Sequence, residues 1–109
     1  MLVICNAPDQ DTARHIARTL VEERLAACVN ILPACRSVYR WQGELEEDSE
    51  LPLLIKTTEE AYPALQHRLV VLHPYEVPEI IAVDIAHGLP AYLTWVRESV
   101  VSSQPEVDS

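Results

Sequence analysis

The residues best suited to chemistry lie in the segment His73-Pro74-Tyr75-Glu76-Val77-Pro78-Glu79, which contains an imidazole, a phenol and two carboxylates. Proline has no backbone N–H and pushes the residue before it toward an extended conformation, so Pro74 and Pro78 exclude a helix here. The segment leads into the apolar run Ile80-Ile81-Ala82-Val83, which predicts a strand. Polar side chains in a rigid loop that leads into a strand favour a binding site, although a proline-rich connector would have the same residue types.

Length and composition limit the class of protein. The 109 residues suffice for one domain, which we place at residues 1–101, followed by a polar tail at residues 102–109. The net charge of −9 argues against nucleic acid as a partner, because phosphates need a basic face, and it is compatible with cation binding. Three cysteines without CxxC spacing indicate a reducing, cytoplasmic compartment. The sequence begins without a basic segment followed by a long apolar one, so neither export nor a membrane partner is expected.

Hydrophobic periodicity predicts the order β-α-β-β-α-β followed by one more helix. The predicted strands cover residues 2–6, 27–41, 45–57 and 79–86, and the predicted helices run from Asp9 to about Arg24, over residues 58–72, and from Pro90 onward. This order is the α+β, ferredoxin-like plan, an antiparallel sheet of strand order 4-1-3-2 with two helices on one face. Within it we expect strands 1 and 3 to run parallel, so that their ends lie side by side.

The two middle strands predict a long hairpin joined by a two-residue turn at Gln42-Gly43. A strand of about 14 residues is roughly 46 Å long, whereas a compact domain of this size is about 34 Å across, so the hairpin should protrude. Pairing across the turn sets Pro33 opposite Pro52, and neither proline can donate to the ladder. We therefore expect the hairpin to divide there into a body section and an outer arm, residues 34–51.

The arm favours an oligomer. Tyr39 and Trp41 share one face of it, and a second subunit that covers them would prevent uncontrolled association, most simply in a closed ring. An arm that folds back onto its own helices is the alternative. Carboxylates also stand at every second position of the returning strand (Glu44, Glu46, Asp48 and Glu50). This stripe could attract cations or a neighbour's arginine, or form a solvated edge.

Under this topology, chemically capable side chains converge at one sheet edge: Cys5, Lys56, His73, Tyr75 and Glu79. A thiolate, an imidazole and a carboxylate are reasonable ligands for Cu(II) or Zn(II). We therefore hypothesise a metal site made of Cys5, His73 and Glu79, with Lys56 and Tyr75 lining the cleft. Two observations oppose it, because Lys56 would repel a cation or pair with Glu79, and Cys5 would serve equally well as a small buried hydrophobe.

The same residues allow two other interpretations. Cys5 as nucleophile and His73 as base would make an enzyme, but no third orienting group or oxyanion motif is visible, and we expect no catalytic activity. Two glycines in the whole chain essentially exclude a phosphate-cradling loop. In the other interpretation, the chain is a trimeric signalling module, similar in shape to the PII regulators, and Lys56 and His73 bind a small anionic metabolite in a cleft at a subunit boundary.

The chain resembles the CutA family of divalent-cation tolerance proteins. The matching segments are Cys5–Asp9, Glu23–Ile31, Tyr39–Glu44, Leu54–Thr58, His73–Ile80 and Tyr92–Trp95. The resemblance implies a ferredoxin-like homotrimer joined through the hairpin and the sheet edges. It also implies a role in tolerance of copper and other divalent ions, without a firmly attached enzymatic activity.

Carried over to the matching positions, the resemblance implies the ligands Cys5, His73 and Glu79. Leu72 stands where some relatives have a second histidine. If that position supplies the ligand, the metal site of this protein is weakened or absent.

Overall fold

The computed structural model describes residues 1–101, and the predicted polar tail lies outside the described residues. The elements are β1 (Leu2–Ala7), α1 (Gln10–Glu22), β2 (Cys28–Ile31), β3 (Cys35–Trp41), β4 (Glu44–Lys56), α2 (Tyr62–Leu72), β5 (Ile80–Val83) and α3 (Pro90–Ser99). Their order confirms the predicted α+β, ferredoxin-like plan with an extra helix. The boundaries differ most at α2, which begins later than predicted because the Thr58 hydroxyl accepts the Ala61 N–H in a turn before the helix.

The sheet has the order β2-β4-β1-β5, with β3 paired to the outer half of β4, and every pairing is antiparallel. The predicted strand order is therefore confirmed. The expectation that the first and third predicted strands run parallel is wrong, because β1 and β4 are antiparallel, with Leu2 opposite Lys56 and Cys5 opposite Leu53. The reason is the connection: α1 brings the chain back so that β2 runs parallel to β1, and the hairpin turn then reverses its direction into β4.

Helices α1 and α2 cover one face of the sheet. Helix α1 starts at Asp9, whose carboxylate accepts the Thr12 N–H at 2.8 Å, as an N-cap does. The core consists of alternate residues of β1 and β4 and the apolar stripes of the two helices: Val3, Cys5, Ala7, Ala13, Ile16, Leu20, Ala26, Leu53, Ile55, Leu65 and Leu69. Val96 and Val100 attach the end of α3 through a separate cluster with Ala27 and Ala61.

The hairpin divides as predicted. Gln42 and Gly43 form its two-residue turn with φ of 52° and 84°, and Trp41 lies opposite Glu44. Positive φ at both turn residues is the geometry that matches the twist of the flanking strands. Cys35 pairs with Glu50 and Ile31 with Leu53, so the register shifts by one residue between β3 and β2, near Pro33.

We call residues 35–50 the arm. It makes the molecule elongated, with extents of 52 × 30 × 24 Å. Cys5, Cys28 and Cys35 are all free thiols. Within residues 1–101, no helix combines the length and the apolar character needed to cross a membrane.

Candidate functional site

The thiol of Cys5 lies in the middle of the sheet, not on its surface. Its strand β1 lies between β4 and β5, with Leu53 and Ile80 opposite Cys5, and the residue is 0% exposed. Burial raises the pKa of the Cys5 thiol to about 12, and the negative charges of Glu79 and Glu50 act in the same direction. Cys5 is therefore a protonated core residue at neutral pH, as its alternative interpretation held.

His73 follows the last turn of α2 and is 6% exposed. Its Nδ1 accepts the backbone N–H of Tyr75 at 3.2 Å, which leaves the proton on Nε2, and Nε2–H donates to the backbone oxygen of Asn6 at 2.6 Å. Both ring nitrogens are thus used in holding the 73–79 loop against the end of β1. This is the local reason for the conformation of the loop.

Two carboxylates beside His73 accept hydrogen bonds from neutral donors. The Tyr75 hydroxyl donates to Glu50 Oε2 at 3.1 Å, and Asn6 Nδ2 donates to Glu79 Oε1 at 3.0 Å. Burial and then the Glu50 hydrogen bond raise the pKa of Tyr75 to about 12, so the phenol keeps its proton and acts as the donor. The Tyr75 ring lies 4.6 Å from the His73 ring, centroid to centroid, and Glu79 is bonded to Asn6, which follows Cys5 in β1.

Lys56 does not join this group, which corrects the predicted convergence. Because β1 and β4 are antiparallel, Lys56 lies opposite Leu2, three residues along the sheet from Cys5, and three strand residues span about 10 Å. Its ammonium group donates to the Asn30 side-chain oxygen, and it lines a separate, smaller depression with Met1 and Thr57. The alternative in which Lys56 pairs with Glu79 is not realised, because Lys56 bonds to Asn30 and Glu79 to Asn6.

The hypothesised ligand set does not fit a metal ion in this conformation. Cys5 is buried and protonated, both nitrogens of His73 are hydrogen-bonded, and only Glu79 has a free carboxylate oxygen. Across residues 1–101, no group of three or more His, Cys, Asp or Glu side chains is arranged to hold a metal. A metal at Cys5 and His73 would have to break the bonds that anchor the loop.

A cavity of about 750 Å³ opens beside these residues, between the arm and the 73–79 loop. It is lined by Ser37, Val38, Tyr39, Trp41, Asp48, Glu50, Tyr75, Glu76, Val77 and Glu79, and we call it the acidic cleft. Within residues 1–101, the lining contains four carboxylates and no lysine, arginine or histidine. Tyr39 donates its hydroxyl to Asp48, and this hydrogen bond raises the pKa of Tyr39 to about 12.

A comparison with protein families identifies the chain. The model of the CutA1 divalent ion tolerance protein family matches residues 1–99. The chain belongs to this family. It is 57% identical over 98 residues to the divalent-cation tolerance protein CutA of Thermus thermophilus, an alignment that covers 90% of this chain and 95% of that protein.

Solved CutA structures share the fold. The divalent cation tolerance protein of Thermus thermophilus superimposes with a TM-score of 0.90 at 56% identity, over 92% of this chain and 97% of that one. The CutA of Xylella fastidiosa does so with a TM-score of 0.89 at 49% identity, over 92% and 96% of the two chains. A third, described as the periplasmic CutA of Archaeoglobus fulgidus, gives 0.88 at 34% identity, over 92% and 97%.

Glu50 is the residue of this CutA chain whose place the sequence interpretation missed. The sequence pattern places it in a stripe along the returning strand of the hairpin, whereas in the structure it is 8% exposed and lies at the inner end of the arm, where it accepts the Tyr75 hydroxyl. The hairpin register could have predicted this position. It places Glu50 next to the point where prolines divide the hairpin, and hence against the body of the domain.

Proposed function

We propose that this CutA1-family chain binds a divalent cation weakly in the acidic cleft, at a pair of carboxylates, and takes part in this way in the response to metal ions. The observation that carries the proposal is the cleft itself, whose lining includes carboxylates and, within residues 1–101, no cationic side chain. A cation stabilises neighbouring carboxylates, because its positive charge offsets the repulsion between them. The family assignment supplies the divalent ion as the class of cation.

Glu50 and Glu79 are the first candidates for the contact with the cation. Each receives one hydrogen bond from a neutral donor, Tyr75 for Glu50 and Asn6 for Glu79, and keeps its second oxygen free of such a bond within residues 1–101. Cu(II) is the leading metal, because oxygen and nitrogen sites bind it more tightly than the other first-row divalent ions. Cys5 and His73 hold the cleft in shape instead of binding the ion.

The same cleft gives no support to an anionic metabolite as the ligand. The charged side chains of its lining are all carboxylates, and Lys56, which that alternative needs, lies in another part of the sheet. We also propose that the chain acts by binding and not by catalysis, since the only thiol near His73 is buried and protonated.

We further propose a homotrimer in the cytoplasm as the working form. Trp41 is 41% exposed on the arm, and Ile81 and Val83 are about half exposed on the face of the sheet that the helices leave uncovered. Partner subunits that cover these surfaces would remove apolar area from water. The three free thiols support a reducing compartment. Light scattering on the purified chain should give three times the subunit mass, and cell fractionation should place the chain with cytoplasmic markers.

Calorimetric titration with Cu(II) tests the site. We expect Glu50→Gln and Glu79→Gln each to weaken binding by about tenfold, as loss of a charged ligand does. Glu44→Gln is the matched control, because it removes the same charge from the same strand at an exposed position outside the cleft. Its affinity should equal that of the wild-type chain.

Two results would contradict the proposal. One is a wild-type chain that takes up no Cu(II). The other is binding that survives both carboxylate substitutions but is lost in Cys5→Ala or His73→Ala, which would restore the ligand set implied by the resemblance.

A further inference from the structure

Helix α3 is attached to the rest of the chain by a small apolar contact. Among residues 90–100, only Val96 and Val100 are buried, and they pack against Ala27 and Ala61 in a cluster separate from the main core. Alanine offers little side-chain surface, and a helix of 10 residues is too short to be stable in water by itself. Apolar packing alone therefore gives α3 a weak attachment.

The first turn of α3 adds little to this attachment. Its N-cap residue, Leu89, makes no side-chain hydrogen bond to the helix, and no acidic residue lies in that turn. Tyr92 and Trp95 are exposed, and the Tyr92 hydroxyl meets only the thiol of Cys28, a weak hydrogen-bonding group. Residues 84–89, which lead from β5 into α3, form neither helix nor strand. The helix is therefore held mainly at its C-terminal end.

Arg24 supplies the hydrogen bonds at that end. Its Nε donates to the backbone oxygen of Ser99 at 3.3 Å, and its Nη2 donates to that of Glu98 at 3.0 Å. Its own backbone oxygen accepts the Val101 N–H at 2.9 Å. The last carbonyls of a helix have no partner within the helix, so the guanidinium caps α3. We call these three hydrogen bonds the α3 clamp.

The backbone of Arg24 has a conformation that is unfavourable for arginine. Its φ is 59°, in the left-handed region, at the position after the end of α1 where glycine is most common. The residues that follow are fixed to β4, because the Thr57 hydroxyl donates to the Leu25 oxygen at 2.7 Å and the Ala27 N–H donates to the Lys56 oxygen at 2.9 Å. What arginine adds at this strained position is its reach to α3.

We propose that α3 is a hinged helix that opens and closes while the sheet stays folded, and that the α3 clamp sets the fraction of closed molecules. The connection at residues 84–89 is the hinge. Val96 and Arg97 line the small depression that also contains Lys56, so opening removes one wall of that depression. This inference does not depend on the proposed metal binding.

Hydrogen exchange of the full chain, measured by mass spectrometry at a fixed chain concentration, is the first experiment. Amides of α3 should exchange faster than those of β1 and β4. Their exchange should also depend less on urea, because a local opening exposes less surface than unfolding of the whole chain.

Substitution of Arg24 tests the clamp. In Arg24→Ala, exchange in α3 should become about tenfold faster, since hydrogen bonds from a charged donor are lost. Arg18→Ala is the matched control, because it removes the same charge from an exposed position of α1 and leaves the clamp in place. It should leave exchange in α3 unchanged.

Arg24→Gly separates opening of α3 from unfolding of the body. Glycine adopts the left-handed conformation without strain, so this variant should have a more stable body than Arg24→Ala, while both lack the side-chain bonds of the clamp. Exchange in β1 and β4 should be about tenfold slower in Arg24→Gly than in Arg24→Ala. Exchange in α3 should be equal in the two variants, because residue 24 keeps its conformation when only α3 opens.

Three results would overturn the inference. If α3 exchanges no faster than β1 in the wild-type chain, the helix opens only when the whole chain unfolds. If Arg24→Ala leaves exchange in α3 unchanged, Arg24 does not hold the helix. If Arg24→Gly and Arg24→Ala differ as much in α3 as in β1, the substitutions act on the whole fold and α3 has no separate opening.

Discussion

The two halves of β4 lie in different surroundings although they belong to one continuous strand. In the body half, Leu53 is 0% exposed and lies between β1 and β2 under the helices. In the arm half, Leu45 is 72% exposed and pairs only with β3. The hydrogen-bonding pattern is the same, so the difference comes from what covers each face. A segment of this chain can therefore form a strand without joining the hydrophobic core.

The acidic cleft lies where these regions meet. Its carboxylates come from the arm half of β4 and from the 73–79 loop, and its aromatic wall comes from β3 and the same loop. Neither region alone forms the cavity. The cleft therefore forms at the boundary between body and arm, and both regions supply carboxylates and apolar surface to it.

The largest expected contrast is between the thiols of the two regions. Cys5 is in the body with a pKa raised to about 12, whereas Cys35 is exposed on the arm. At about pH 8, a thiol with a pKa near 12 is about one part in ten thousand thiolate, the reactive form. In single-cysteine variants, Cys35 should react with a thiol reagent in minutes and Cys5 at least about a thousandfold more slowly.

Denaturant supplies the control for this contrast. Cys5 and Cys35 should react at similar rates once the chain is unfolded. Rapid reaction of Cys5 in the native protein would show that the centre of the sheet opens. The body would then protect its thiol from the reagent no better than the arm does.

The next contrast compares two leucines of the same strand. Leu53→Ala should lower the free energy of unfolding by about 3 kcal/mol, because it removes buried methyl groups and leaves a cavity. Leu45→Ala should change it by less than about 0.5 kcal/mol, as exposed substitutions do. Urea unfolding at a fixed protein concentration measures both. Similar costs for the two would mean that another chain covers the arm at Leu45.

The smallest contrast concerns the contact between loop and arm, Tyr75 with Glu50. The raised pKa of Tyr75, about 12 against an ordinary 10, means that the folded chain holds this proton more tightly than the unfolded one. Its contribution to stability is complete below pH 10 and is lost as the pH rises to about 12.

Ultraviolet titration of tyrosinate measures this contact. In Glu50→Gln, the pKa of Tyr75 should fall by about one unit, because the negative hydrogen-bond acceptor is gone while the burial remains. Tyr75→Phe identifies which step of the titration belongs to this residue. A pKa that does not change in Glu50→Gln would assign the whole shift to burial and remove the link between loop and arm.

Local sequence patterns determined much of this protein. Proline positions fixed the 73–79 loop and the division of the hairpin near Pro33, and Gln42-Gly43 fixed the turn. The stripe of Ala13, Ile16 and Leu20 fixed the buried face of α1. These features follow from covalent constraints and from periodicity within one segment, which a sequence displays directly. Boundaries such as the start of α2 depended on a single side-chain bond and were predicted less well.

Only the tertiary structure decided which residues form the site. The antiparallel direction of β4 against β1 moved Lys56 away from Cys5, and the fold of the arm onto the loop buried Glu50. The two hydrogen bonds of His73 made it a structural anchor instead of a free ligand. Apart from the local bond between His73 and Tyr75, each of these facts depends on contacts between segments far apart in the chain. The residue types therefore identified the loop as chemically capable, while the packing of distant segments decided which of its neighbours share the cleft.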